Sequence, residues 1–166
     1  MGVGAQGKST SFYWSLVLVL GIAMEAIALY YQYGLDYGPC VLCIHIRIYV
    51  LGFILLALVA LATRGSKPMR MLTGLTGVGL AAGMAERSWK TFGVERGFIE
   101  GACDMDSGLP DWFALDQWFP TVFEPWEPCG YTPELLFGIT MAEGLLAFSA
   151  AAILGSLWML VRSLRS

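Results

Sequence analysis

The chain has 166 residues, 57% of them hydrophobic and 14% charged, with a net charge of −3 and a mean hydropathy of +0.63. Soluble domains carry roughly 25% charged residues, and a soluble surface this apolar would present large aggregating patches. The composition excludes an ordinary soluble domain and favours an integral membrane protein, and no nucleotide, phosphate or nucleic-acid motif occurs along it.

Residues 1–11 are polar and Gly/Ser-rich, with Lys8 as their only charge. The apolar run that follows is too long for a signal-peptide core and lacks an Ala-x-Ala-type site, so it reads as an uncleaved anchor. Residues 12–32 form the first expected span, about the 20 residues a bilayer requires. Aromatic belts mark both its ends, Phe12-Tyr13-Trp14 and Tyr30, Tyr31 and Tyr33. Glu25 lies inside it, where an ionisable group is costly and turns to a bundle interior or a cavity. A short loop over 33–40 leads to a second span over 41–63. The basic turn Arg64, Lys67, Arg70 then precedes a third over 69–89. That third span is rich in glycine and alanine, and its Gly79 and Gly83 form a small-xxx-small pair expected to bring helix backbones close.

Residues 90–133 differ in kind. They hold Cys103, Cys129, five prolines and eight acids against Lys90 and Arg96. Within them Trp112, Leu115, Trp118, Phe119 and Val122 recur at near-helical spacing, which predicts a short amphipathic helix in the interface plane. Residues 134–161 complete the set as a fourth span with Glu143 near its middle. The fold class is therefore all-α: a four-helix membrane bundle, one domain over 1–166, with a long outer loop. Lys8, the Arg64–Arg70 turn, Arg162 and Arg165 alternate with the acidic loops. Basic flanks stay cytoplasmic, so both termini are expected inside and all four cysteines outside, in an oxidising compartment.

The chemistry concentrates in Pro39-Cys40-Val41-Leu42-Cys43-Ile44-His45-Ile46-Arg47. If Val41 opens a helix, Cys40, Cys43 and Arg47 share one face, with Arg47 one turn, about 6 Å, below Cys43. The unpaired N–H groups and positive dipole end of a helix start favour thiolate over thiol. Pro39 suits such a start. A Cys-x-x-Cys ring is short, which favours exchange over structural bracing. Two plainer readings stand beside this one. Four outer cysteines could form structural disulfides, in any of three pairings. A metal site from Cys40, Cys43 and His45 lacks a fourth ligand, and His45 points off the cysteine face.

Taken together, the chain resembles the DsbB family. The resemblance is carried by Glu25, Pro39-Cys40-Val41-Leu42-Cys43-Ile44 with Arg47, Cys103-Asp104, Leu109-Pro110-Asp111-Trp112, Leu115-Asp116-Gln117-Trp118-Phe119-Pro120 and Cys129. It implies a disulfide:quinone oxidoreductase of the bacterial inner membrane that reoxidises DsbA, a soluble periplasmic thioredoxin-fold oxidase. On that pattern Cys103–Cys129 takes electrons from the partner, Cys40–Cys43 reoxidises that pair, and ubiquinone or menaquinone accepts them beside Arg47. Some members carry an acid directly before the arginine, where this chain has Ile46. The family's second polar quinone-site residue falls on Arg87 or Lys90. Glu25 and Glu143 read as structural pairings rather than proton relays. The rival readings are a vitamin K epoxide reductase-like quinone reductase and a non-catalytic four-span scaffold with braced loops.

Overall fold

The computed structural model describes residues 3–63, 66–100, 106–127, 129, 134–136 and 138–164, with the side chains of 3–8 and 134–136 not described. Cys103, Arg64 and Arg165, together with the side chain of Lys8, lie outside the described residues. Among the described residues four long helices run in order: α1 Val3–Gly34, α2 Val41–Ala62, α3 Lys67–Glu95 and α6 Met141–Leu164. Between α3 and α6 come a 3-10 turn at Asp111–Phe113, the short helices α4 Leu115–Trp118 and α5 Pro120–Phe123, and the paired strands β1 Glu134–Leu136 and β2 Ile139–Thr140. Helices α1, α2 and α6 are long and apolar enough to cross a membrane. Helix α3 packs most extensively on α6, and α2 lies between α1 and α3.

Small residues make that packing. Lipid tails are as apolar as leucine, so helices in a bilayer associate by close van der Waals fit rather than by burying large side chains. Ala57, Ala81, Ala142, Ser149 and Ser156 are fully buried, whereas Phe12, Leu55, Leu75 and Leu154 face outward. Trp14, Phe53 and Met84 fill the remaining centre. A Cβ on Gly77 would stand 2.9 Å from Ser156 Oγ and 3.4 Å from Trp14, and one on Gly83 would stand 2.6 Å from the Tyr49 ring. Gly79, expected to pair with Gly83 at a helix contact, has nothing within 4 Å of its Cβ position. The close approaches to α6 come from Gly74 and Gly77 instead, because α6 lies on that face of α3.

Two further expectations are corrected. The last span does not begin at 134. Gly138, at φ +77°, turns a short hairpin, and the helix starts only at Met141. Thr140 caps it: its Oγ1 accepts the Glu143 N–H at 3.4 Å, while Glu143 Oε2 accepts the Thr140 N–H at 3.2 Å. This is a capping box, so Glu143 sits in the first turn and not mid-span. It also takes a hydrogen bond from Arg96 at the end of α3. The amphipathic helix expected around 112–122 is broken into single turns. Pro120 cannot donate an N–H to a continuing helix, and Phe119 leaves helical geometry at φ −134°. Trp112, Trp118 and Phe119 stay exposed, while Phe123 turns inward.

Candidate functional site

Helix α2 begins at Val41, with Cys40 as its N-cap in extended geometry. The Cys40 sulfur accepts the Cys43 N–H at 3.3 Å, taking the place that a serine or aspartate oxygen holds in an ordinary cap. Cys40 and Cys43 are disulfide-bonded, with Cα atoms 5.1 Å apart. The helix start thus holds the pair and directs the Cys43 N–H at the Cys40 sulfur. Cys40 is only 3% exposed, although it lies at the loop end of the motif. The segment before Cys129 is fastened to the turn that leads into Cys40: the Trp126 N–H donates to Pro39 O at 3.0 Å, and Trp126 lies against Gly38.

Helical spacing carries Cys43, Arg47 and Val50 onto one wall of a cavity of about 320 Å³. Its other walls are α1, through Met24, Glu25 and Ala28, and α6, through Leu145 and Phe148, with Tyr37, Gly38 and Pro39 at its outer end. Most of the lining is apolar, and the polar exceptions are few and specific. Arg47 is buried; its Nη1 donates to Gln32 Oε1 at 2.6 Å and to Val122 O at 3.0 Å, and its Nη2 to Ala28 O at 3.1 Å. A guanidinium has five N–H groups, and these bonds use three. Glu25 Oε1 is buried and has no hydrogen-bond partner among the described residues. An unsatisfied buried carboxyl oxygen is costly, and on this cavity wall the Glu25 carboxyl interacts electrostatically with the buried Arg47.

Arg87 and Lys90 both pair with Glu86, at 3.2 and 2.5 Å, and neither lines this cavity. Their helix contributes Thr91 to it. Cys129 is half-buried and disulfide-bonded. Sequence reasoning passed over Gln32. It is buried, accepts from Arg47 and donates from Nε2 to Thr121 O at 2.9 Å, so it joins the cavity arginine to the loop that leads to Cys129. The available signal was an amide among the aromatic residues Tyr30, Tyr31 and Tyr33 that end an apolar span.

The family model described as Disulfide bond formation protein DsbB matches residues 10–159. The chain belongs to the DsbB family. It is 33% identical over 157 residues to Disulfide bond formation protein B of Shewanella frigidimarina, covering 90% of this chain and 88% of the relative. It is 34% identical over 148 residues to Disulfide bond formation protein B 2 of Pseudomonas aeruginosa, covering 86% and 85%. A more distant relative, Disulfide bond formation protein B of Haemophilus influenzae, is 27% identical over 169 residues, with 97% and 92% covered. With three helices able to cross a bilayer, this DsbB-family chain is a membrane protein.

Proposed function

We propose that this protein reoxidises a periplasmic, DsbA-like thioredoxin-fold dithiol oxidase and delivers the electrons to membrane ubiquinone or menaquinone, sustaining disulfide bond formation. One observation carries the reading: Cys43, the inner end of an oxidised Cys-x-x-Cys, borders a largely apolar cavity beside a buried arginine and a carboxyl oxygen without a hydrogen-bond partner among the described residues. A cavity of this size falls within the usual range for small-molecule sites. Its apolar walls fit a flat hydrophobic ring, and its few polar groups fit ring oxygens. The relatives named for disulfide bond formation support the same reading.

The thiol chemistry balances in four exchanges. A partner thiolate attacks Cys103, breaking a Cys103–Cys129 bond and releasing Cys129 as a thiolate. Cys129 attacks Cys40, breaking Cys40–Cys43 and freeing Cys43 at the cavity. The second partner thiol then displaces Cys103, leaving the partner oxidised. Cys103 in turn attacks Cys129, which restores Cys103–Cys129 and leaves Cys40 and Cys43 reduced. A quinone bound in the cavity would supply an acceptor for the two electrons and two protons of that dithiol. The Cys43 N–H and helix start favour anionic sulfur at Cys40. Arg47 holds positive charge where negative charge develops, and Glu25 Oε1 can hold a proton on the α1 wall of the same cavity. Arg87 and Lys90, held by Glu86 at the outer half of α3, would act on the quinone only from outside the cavity lining.

The test is purified protein carrying quinone, mixed with the reduced partner. One quinone should be reduced for each partner disulfide formed, and Cys43→Ser should abolish both. Partner oxidation without loss of quinone absorbance would overturn the proposal.

A further inference from the structure

His45, the chain's single histidine, is not used by the cavity. It follows Cys43 by two residues, which turns it about 200° around α2, and it is absent from the cavity lining. Its Nε2 lies 2.8 Å from Ser107 O. A carbonyl only accepts, so Nε2 carries the hydrogen and donates. Ser107 is itself a knot, only 3% exposed. Its Oγ donates to Asp116 Oδ2 at 2.7 Å and accepts the Leu109 N–H at 3.4 Å. The His45 bond therefore fastens to α2 a segment that is already cross-tied to α4.

Ser107 stands four residues after Cys103, so the covalent chain limits their separation to about 14 Å. The other limb of the outer loop has its own fastening. Thr121 O, Val122 O and the Trp126 N–H bind Gln32, Arg47 and Pro39, just before Cys129. The two limbs are held by bonds that share no atom, one to His45 on α2 and the other to Gln32 on α1 and to Arg47 and Pro39.

We propose that His45 is a positioning residue: its bond to Ser107 holds the Cys103 limb in place for attack by the soluble dithiol partner, independently of the Cys129 limb. The assignment of Cys103 as the attacked cysteine rests on the function proposed above. Holding Ser107 fixed keeps the anchored end of that limb in place when Cys129 leaves to reach Cys40. The bond needs a donor at the Nε2 position. A glutamine amide nitrogen reaches that position, whereas phenylalanine fills the space without a donor.

The experiment uses the full-length protein in lipid nanodiscs, as His45→Phe and His45→Gln, each alone and combined with Cys129→Ser. Amide hydrogen exchange at Leu109 reads the latch, and exchange across 121–126 reads the other limb. The rate of the disulfide-linked adduct with a reduced thioredoxin-fold dithiol oxidase, in the Cys129→Ser background, reads positioning. His45→Phe should speed Leu109 exchange about three- to tenfold, the range one hydrogen bond supplies, and slow adduct formation several-fold. Exchange over 121–126 should keep its unsubstituted rate, and His45→Gln should restore both Leu109 protection and the adduct rate. Unchanged Leu109 exchange in His45→Phe would overturn the proposal, as would an unchanged adduct rate once protection is lost. Equal loosening of both limbs would also overturn it, since that is general destabilisation. If the Cys129→Ser protein forms no adduct at all, the two-pair relay fails, and with it the positioning role; a Leu109 effect would then report only a structural bond.

Discussion

Arg47 binds Gln32 and the backbone of both α1 and α5, so replacing it removes a support as well as a charge. Arg47→Lys keeps the charge but loses the planar fork that reaches three acceptors. It should raise the apparent KM for quinone about tenfold while partner adduct formation at Cys103 continues, and steady-state quinone titration separates the two effects. Gln32→Ala should cost about 1–3 kcal/mol, because it strips a partner from a buried guanidinium N–H. Thermal unfolding of the single and double variants should show clear non-additivity with Arg47→Lys, since the two side chains touch. Equal and additive losses would mean the two act separately. The placing of Cys40, Cys43 and Arg47 was legible in the sequence because it depends only on helical periodicity. The partners of Arg47 were not. Val122 lies 75 residues away along the chain and Gln32 fifteen, and no local pattern connects them. The bond from Trp126 to Pro39, beside the buried Cys40, was hidden for the same reason.

Helix ends and helix contacts divide the same way. The start of α2 was readable from Pro39-Cys40, and the long apolar runs gave α1 and the body of α6. The start of α6 was missed although its signal was local: Thr140-x-x-Glu143 is a capping box that an apolar count overlooks, because Leu135, Leu136, Phe137 and Ile139 extend the hydrophobic run backwards. Thr140→Ala should therefore lower stability by about 1 kcal/mol, measured by unfolding in detergent. Glycine roles in α3 could be guessed in kind but not assigned by position, since the face that meets α6 is set by the tertiary arrangement. That yields a paired test. Gly79→Ala, with open space around its Cβ, should be neutral or stabilise by about 0.5–1 kcal/mol through helix propensity. Gly77→Ala pushes a Cβ to 2.9 Å from Ser156 Oγ and should destabilise by about 1–3 kcal/mol. Similar effects at the two sites would mean that α3 does not meet α6 on this face.

The proposed relay needs both the right side of the membrane and a loop able to move. An outside-active reporter inserted at Asp36 or at the exposed Asp111-Trp112 should be active, and one at Ser66 inactive; activity at Ser66 would place the cysteines in a reducing compartment and remove the basis of the mechanism. The harder question is how Cys129 reaches a sulfur that is buried. The strap bonded to Pro39, next to Cys40, is the same segment that carries Cys129, three residues beyond the Trp126–Pro39 bond. On the proposed relay this contact would serve delivery, holding the Cys129 segment at the Cys40 turn. Gly38 makes this testable, because a Cβ there would stand 2.6 Å from Trp126 Cβ and 3.2 Å from Glu127 Cγ. Gly38→Ala should push the strap away without touching any cysteine. In a Cys43→Ser protein mixed with reduced partner, the Cys40–Cys129 bond should then form several-fold more slowly than with Gly38 in place, and peptide mapping under non-reducing conditions measures it. If the strap only shielded Cys40, displacing it would speed that bond instead, and delivery by the 124–127 segment would have to be abandoned.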